Sequence, residues 1–88
     1  MEKIVIRHKV GDFDTWLKGH QERVQLFAPA VTSFQTFQDQ DDPKSICMVM
    51  DVKDMEKLGA IINDPGVMEA KVRHTVIDPV ILSSPIAT

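Results

Sequence analysis

The sequence predicts an α+β fold in which strands and helices follow one another in the order β-α-β-β-α-β. Four alternating or continuously apolar segments predict strands, at residues 3–10, 32–38, 45–52 and 75–82. Two segments with apolar residues three and four apart predict helices, at residues 13–27 and 55–63. The 88 residues are enough for one domain and too few for two. We therefore expect a single domain at residues 1–83, followed by a short tail at 84–88.

The first helix is predicted between two clear chain breaks. Gly11 and Asp12 end the first strand, and the Asp12 carboxylate can accept hydrogen bonds from the unpaired N–H groups of the following helix. Pro29 cannot continue the helix, because it lacks an N–H and its ring clashes with a preceding carbonyl. The face expected to pack on the sheet carries residues at four- and three-residue spacing, with Trp16 beside them: Phe13, Leu17, His20, Val24 and Phe27.

The second half of the chain predicts a central strand, a helix and an edge strand. The strand at 45–52 is apolar on both faces, which is typical of a strand covered on both sides. Asp54 is expected to cap a helix that Asp64-Pro65-Gly66 ends, with a short helical turn at 67–71. Pro79 cannot donate to a neighbouring strand, so the last strand is expected at a sheet edge or with a bulge. The helix predicted at 55–63 is expected to bury four apolar residues against the sheet: Met55, Leu58, Ile61 and Ile62.

This element order predicts a ferredoxin-like fold. Two right-handed crossovers joined by a hairpin give a four-stranded antiparallel sheet with both helices on one face. The other face is then uncovered, although the strand at 45–52 is apolar there too. A chain this short buries only roughly 60–65% of its extended-chain surface when it folds alone. We therefore expect the outer sheet face to pack against a second copy of the chain.

Composition excludes several classes of function. The net charge of −3, from 10 basic and 13 acidic residues, gives no basic surface for nucleic acid or an anionic membrane. Neither a signal peptide nor a membrane span is predicted, so the expected location is the cytoplasm. The sequence lacks a glycine-rich phosphate loop, a Cys-x-x-Cys pair and a serine nucleophile motif. The spacing of the histidines supports no metal site. His74 is the only histidine placed to serve as an axial haem ligand, and no other feature of the sequence supports haem binding. We therefore predict no metal and no cofactor.

About residues 3–82 resemble the dimeric α/β-barrel superfamily, in which two ferredoxin-like units pack sheet to sheet. The resemblance rests on the element order, on Phe13-x-x-Trp16-x-x-x-His20 and on Asp64-Pro65-Gly66. The first of these segments is similar to that of EthD-like proteins. The layout resembles antibiotic biosynthesis monooxygenase domains and small polyketide cyclases. The resemblance implies a homodimer that binds a hydrophobic small molecule without a cofactor, with cofactor-independent monooxygenase, cyclase or isomerase as the candidate activities.

His20 is the most informative candidate residue, because it interrupts an apolar helix face. It is either a core histidine hydrogen-bonded to a strand or a general base in a cleft between the first helix and the sheet. Four further residues are expected to border that cleft and contact the ligand: Trp16, His8, His74 and Phe13. The leading hypothesis is conversion of an aromatic or polyketide-like compound with His20 as the base. The alternative is a non-catalytic binding or structural dimer with buried histidines.

Overall fold

The computed structural model describes residues 2–87 and confirms the ferredoxin-like α+β fold. Four antiparallel strands form one sheet in the order β2-β3-β1-β4, with the helices on one face. The strands are β1 (Glu2–Val10), β2 (Val31–Gln38), β3 (Ser45–Val52) and β4 (Val76–Ser83). The helices are α1 (Phe13–Lys18), α2 (His20–Phe27), α3 (Met55–Ile62) and α4 (Pro65–Arg73).

The core lies between the two central strands and the helices. On β1 and β3 every second side chain turns toward the helices and is buried, as strand alternation requires. The strongly buried apolar residues of this layer are Ile4, Ile6, Val10, Ile46, Met48, Met50 and Val52. The alternate side chains of β3 are only half-buried, and they form the outer face of the sheet. The predicted central position of residues 45–52 is confirmed.

The prediction of one continuous helix over residues 13–27 is wrong, because the helix breaks at Gly19. The Gly19 N–H is bonded to the carbonyls of Trp16 and Leu17, and α2 begins at the next residue. A Cβ atom at Gly19 would lie 2.5 Å from His74 Nε2, much closer than real contacts allow. Glycine at this position therefore lets the imidazole of His74 pack directly against the junction of α1 and α2.

The residues that α1 and α2 bury also differ from the predicted set. Trp16 is fully buried and Arg23 is 5% exposed, whereas Leu17 is 47% exposed and His20 is only half-buried. Phe27 is buried as predicted. The buried residues Trp16, Arg23 and Phe27 are seven and four residues apart, so they share one helical face, which lies beside the face that the apolar pattern assigns to the sheet. Burial of the large Trp16 ring removes more apolar surface from water than burial of Leu17 would.

The second crossover contains two helices, where one helix and a turn were predicted. Asp54 caps α3 by accepting from the Lys57 N–H, and Leu58 is its buried residue. Met55, predicted to face inward, is 45% exposed because it occupies the first position of the helix. Asp64 accepts from the Gly66 N–H and starts the nine-residue α4. This helix buries Val67 and Ala70 against the sheet.

The last strand, β4, is an edge strand, as Pro79 predicts. It pairs with β1, and the register shifts between Arg7 and Lys9. No helix within residues 2–87 has the length and apolar character needed to cross a membrane.

Candidate functional site

A cleft opens between α2, α4 and the inner face of the sheet, with a volume of about 100 Å³. Its wall is mainly apolar side chains, which include Ile6, Leu26, Met48, Val67, Ala70, Val80 and Leu82. Four polar side chains reach the same wall: His8, Arg23, Lys71 and His74. An apolar cavity with a few convergent polar groups is typical of a small-molecule site.

One ring nitrogen of His8 is hydrogen-bonded within the described chain and the other is not. Its Nδ1 lies 3.0 Å from the carbonyl oxygen of Lys9, and because a carbonyl only accepts, Nδ1 carries the proton. Nε2 therefore has a lone pair, and no residue of the described chain bonds to it. Burial lowers the pKa of His8, and the positive charges of Arg23 and Lys71 lower it further. The neutral, proton-accepting form is favoured.

Arg23 is an almost fully buried cation in the wall of the cleft. Its guanidinium carbon lies 4.0 Å from the centre of the Trp16 ring, within the range of a cation–π interaction. Nη1 donates to His74 Nδ1 over 3.1 Å. Burial lowers the pKa of Arg23 to about 10, which still leaves the group charged at neutral pH. Nε and Nη2 are buried and have no partner within residues 2–87.

His74 is fixed between Arg23 and Glu22. A guanidinium only donates, so Nδ1 of His74 accepts from Arg23 and the ring proton lies on Nε2. Nε2 is 2.6 Å from Glu22 Oε1, and Arg73 donates to both oxygens of the same carboxylate over 3.0 and 2.9 Å. The hydrogen bonds from Arg73 and His74 lower the pKa of Glu22 to about 2. With both ring nitrogens hydrogen-bonded, His74 holds the Arg23 side chain in place.

The structure brings two of the five sequence-predicted site residues, His8 and His74, to the cleft. The other three lie away from its wall. His20 is half-buried with its ring centre 5.9 Å from that of Phe34, on the side of α2 toward β2. Trp16 is completely buried, with Arg23 on its face and His8 at 6.0 Å. Phe13 packs on Trp16, 6.1 Å between ring centres, behind the cleft wall.

The sequence pattern does not reveal Arg23 and Lys71 as site residues, although both are charged and line the cleft. Arg23 lies seven residues after Trp16 and four before Phe27, so helical spacing places all three on one face. That pattern was hidden because charged residues are normally assigned to the solvent side. Lys71 reaches the cleft with a half-buried side chain and donates to Asp78 Oδ1 over 2.9 Å.

The described part of the chain contains no group of three or more His, Cys, Asp or Glu side chains arranged to hold a metal ion. Cys47, the single cysteine, lies on the outer face of β3 and does not line the cleft. The polar groups at the cleft are therefore one imidazole with a free lone pair, one oriented imidazole and two cations. This set suits proton transfer and the binding of negative charge.

No protein-family model and no curated protein matches the sequence. Solved structures do match the fold. One, described as an antibiotic biosynthesis monooxygenase, is 16% identical, covers 100% of this chain and 99% of its own, and has a TM-score of 0.72. Another is SnoaB, a cofactor-independent oxygenase from Streptomyces nogalater, which is 15% identical to this chain. The match covers 100% of this chain and 97% of SnoaB, with a TM-score of 0.74. The protein therefore shares the ferredoxin-like α+β fold of these structures.

Proposed function

We propose that the protein binds an aromatic or polyketide-like small molecule in this cleft and removes a proton from it without a cofactor. The observation that carries the proposal is the apolar cleft with His8, Arg23 and His74 converging on its wall. The description of SnoaB as a cofactor-independent oxygenase is consistent with such chemistry. Proton removal from carbon is also a step shared by isomerisation, cyclisation and cofactor-free oxygenation.

The cleft geometry supports His8 as the base in preference to His20. His8 Nε2 has a lone pair without a protein partner, and the lowered pKa keeps the ring neutral. In the proposed step Nε2 takes a proton from a carbon next to a carbonyl, and the C–H electron pair passes to the carbonyl oxygen as an enolate. Arg23 and Lys71 supply the positive charge that stabilises this oxygen. His20 remains the competing candidate, and it packs against Phe34 outside the cleft wall.

Occupation of the cleft is testable by NMR with beta-tetralone, a neutral aromatic ketone. We expect its addition to shift the methyl signals of Val67, Val80 and Leu82, which line the cleft, and to leave those of Val72 unchanged. Ala70→Phe should abolish these shifts, because the new ring fills the cleft from its α4 wall. The matched control is Ala60→Phe on the exposed side of α3, which should bind as wild type does. Shifts at other methyl groups alone, or none, would contradict the proposal.

We further propose that the protein is a homodimer formed through the outer face of the sheet. This face has an apolar centre, in which Val5 and Val49 are cross-strand partners, and exposed apolar residues toward both edges: Phe37, Ile77 and Ile81. The charged residues of this face lie to either side of that centre: Lys3 and Asp51, which are ion-paired 3.7 Å apart, lie toward one end, and Arg7 and Lys9 lie toward the other. An apolar centre with a polar rim is typical of protein interfaces. A face of this kind is unusual on a monomer.

Val49→Asp is expected to dissociate the dimer, because it would bury an unpaired carboxylate at the centre of the interface. Light scattering should give twice the chain mass of 9.9 kDa for the wild type and the chain mass for the variant. Val72→Asp introduces the same change on α4, at a residue that is 78% exposed, and should remain dimeric. A wild-type protein that is a folded monomer at micromolar concentration would refute the dimer.

A further inference from the structure

The cleft is closed at one end by the turn that joins α4 to β4. The turn is short, at residues 74–75, so the two elements leave it side by side and form two walls of the cleft. The turn is also tied to the end of β1, because the Thr75 carbonyl accepts from the Gly11 N–H over 2.8 Å. Beside the turn, Lys71 and Asp78 join α4 to β4 over 2.9 Å. These contacts fix one end of the cleft.

The strands show that the cleft becomes apolar with distance from this turn. Val10 pairs with Val76 next to the turn, and Ile6 pairs with Leu82 farther along β4. His8 lies between Val10 and Ile6 on the same face of β1, because alternate residues of a strand share a face. The polar His8 is therefore nearer the closed end, and the apolar Ile6 and Leu82 line the cleft beyond it.

The helices repeat the same order of residues. Near its start, α2 carries Arg23, which donates to His74 beside the turn, and Leu26 follows Arg23 by roughly one helical turn. On α4, His74 and Val67 are seven residues apart, which corresponds to about 10 Å along a helix. Ile62, the last residue of α3, lines the cleft as well. The cleft thus has a polar closed end and apolar walls beyond it.

The apolar end of the cleft is its open end. His8 and His74 are buried, whereas Leu82 is 43% exposed. Leu26 and Ile62 are half-buried, and we call these two residues and Leu82 the mouth of the cleft. The volume of about 100 Å³ is small, so a longer ligand with one end near His8 would extend through the mouth. Apolar side chains at the mouth favour an apolar group there, because a polar group would lose its hydration against them.

We propose that the natural ligand is a ketone with an apolar tail, such as an alkyl or polyene chain, and that the mouth of the cleft is the binding site of this tail. This inference rests on the proposed function, because it places the ligand in the same cleft with its carbonyl toward His8. The tail lies along Ile6 and Val67 and leaves the cleft past Leu82. Leu82 is thus a specificity-determining residue, which selects for the tail and does not take part in proton transfer.

The test compares acetophenone with para-ethylacetophenone and para-butylacetophenone, whose alkyl groups lie opposite the carbonyl. Dissociation constants come from NMR titration of the Val67 and Val80 methyl signals. From acetophenone to the butyl compound the constant should fall at least about tenfold, since each buried methylene contributes roughly fourfold. Leu82→Ser should reduce this gain severalfold and leave acetophenone binding unchanged. Leu17→Ser changes a similarly exposed leucine outside the cleft wall and should behave as wild type.

Nuclear Overhauser contacts of the bound butyl compound give its orientation. The end of the butyl chain should contact Leu82, and the acetyl methyl group should contact the ring protons of His8. Reversed contacts, equal dissociation constants across the series, or an equal effect of Leu82→Ser and Leu17→Ser would refute the tail site, whereas acetophenone binding in the cleft would still support the proposed function. If none of the three ketones shifts the cleft methyl signals, both proposals fail. Circular dichroism shows whether Leu82→Ser is folded, and the wild-type series and contacts decide the proposal without it.

Discussion

Trp16→Ala is expected to lower the free energy of unfolding by about 3–5 kcal/mol, the range for truncating a fully buried large side chain. Trp16 is 0% exposed, and it carries Phe13 on one side and the Arg23 guanidinium on its face. Small domains have about 5–15 kcal/mol in total, so the loss is a large share of the stability. Urea unfolding followed by circular dichroism measures it, because the chain has no other tryptophan to report by fluorescence.

Leu17→Ala is the matched control on the same helix. Leu17 is 47% exposed, so its truncation should cost less than about 1 kcal/mol. The sequence pattern makes the opposite assignment, with Leu17 on the buried stripe and Trp16 beside it. If Leu17→Ala lowers the free energy of unfolding as much as Trp16→Ala does, or more, the result contradicts a buried Trp16 and an exposed Leu17.

The strands could be predicted because their signal is local. In β3 the alternation of Ile46, Met48, Met50 and Val52 fixes which face is buried, whatever the neighbouring strands are. Pro79 likewise excludes a central position for β4 through its missing N–H. The helix break could not be read in this way. Gly19 is needed because the His74 ring lies against it, and that contact joins residues far apart in the chain.

The candidate site was predicted only in part for the same reason. His8 could be placed on the inner face of β1, because strand alternation is reliable over a short segment. The pattern placed His20 inward with Leu17 and Val24, whereas α2 buries the neighbouring face that carries Arg23 and Phe27. Arg23 was missed because a charged side chain in the interior depends on its partners. Those partners, Trp16 and His74, become recognisable only when α1 and α4 are packed together.

The central claim is that His8 removes a proton from a ligand in the cleft, and it is tested most directly by deuterium exchange. Beta-tetralone in D₂O exchanges the hydrogens next to its carbonyl, and NMR follows their loss. We expect wild type to accelerate this exchange and His8→Asn to lower the protein-dependent rate by about 10²–10⁴-fold, the usual contribution of a general base. Asparagine keeps a donor for the Lys9 carbonyl but has no basic nitrogen. His20→Asn should leave the rate unchanged.

The pH profile of the same exchange reaction provides a second readout. The rate depends on neutral His8, and burial places its pKa below the ordinary value of 6.5. We therefore expect the rate to stay level as the pH falls to that value and to decline only below it. Loss of exchange in His20→Asn but not in His8→Asn would return the catalytic role to His20. Binding of beta-tetralone in the cleft with exchange no faster than in protein-free D₂O would contradict catalysis and support a non-catalytic binding protein.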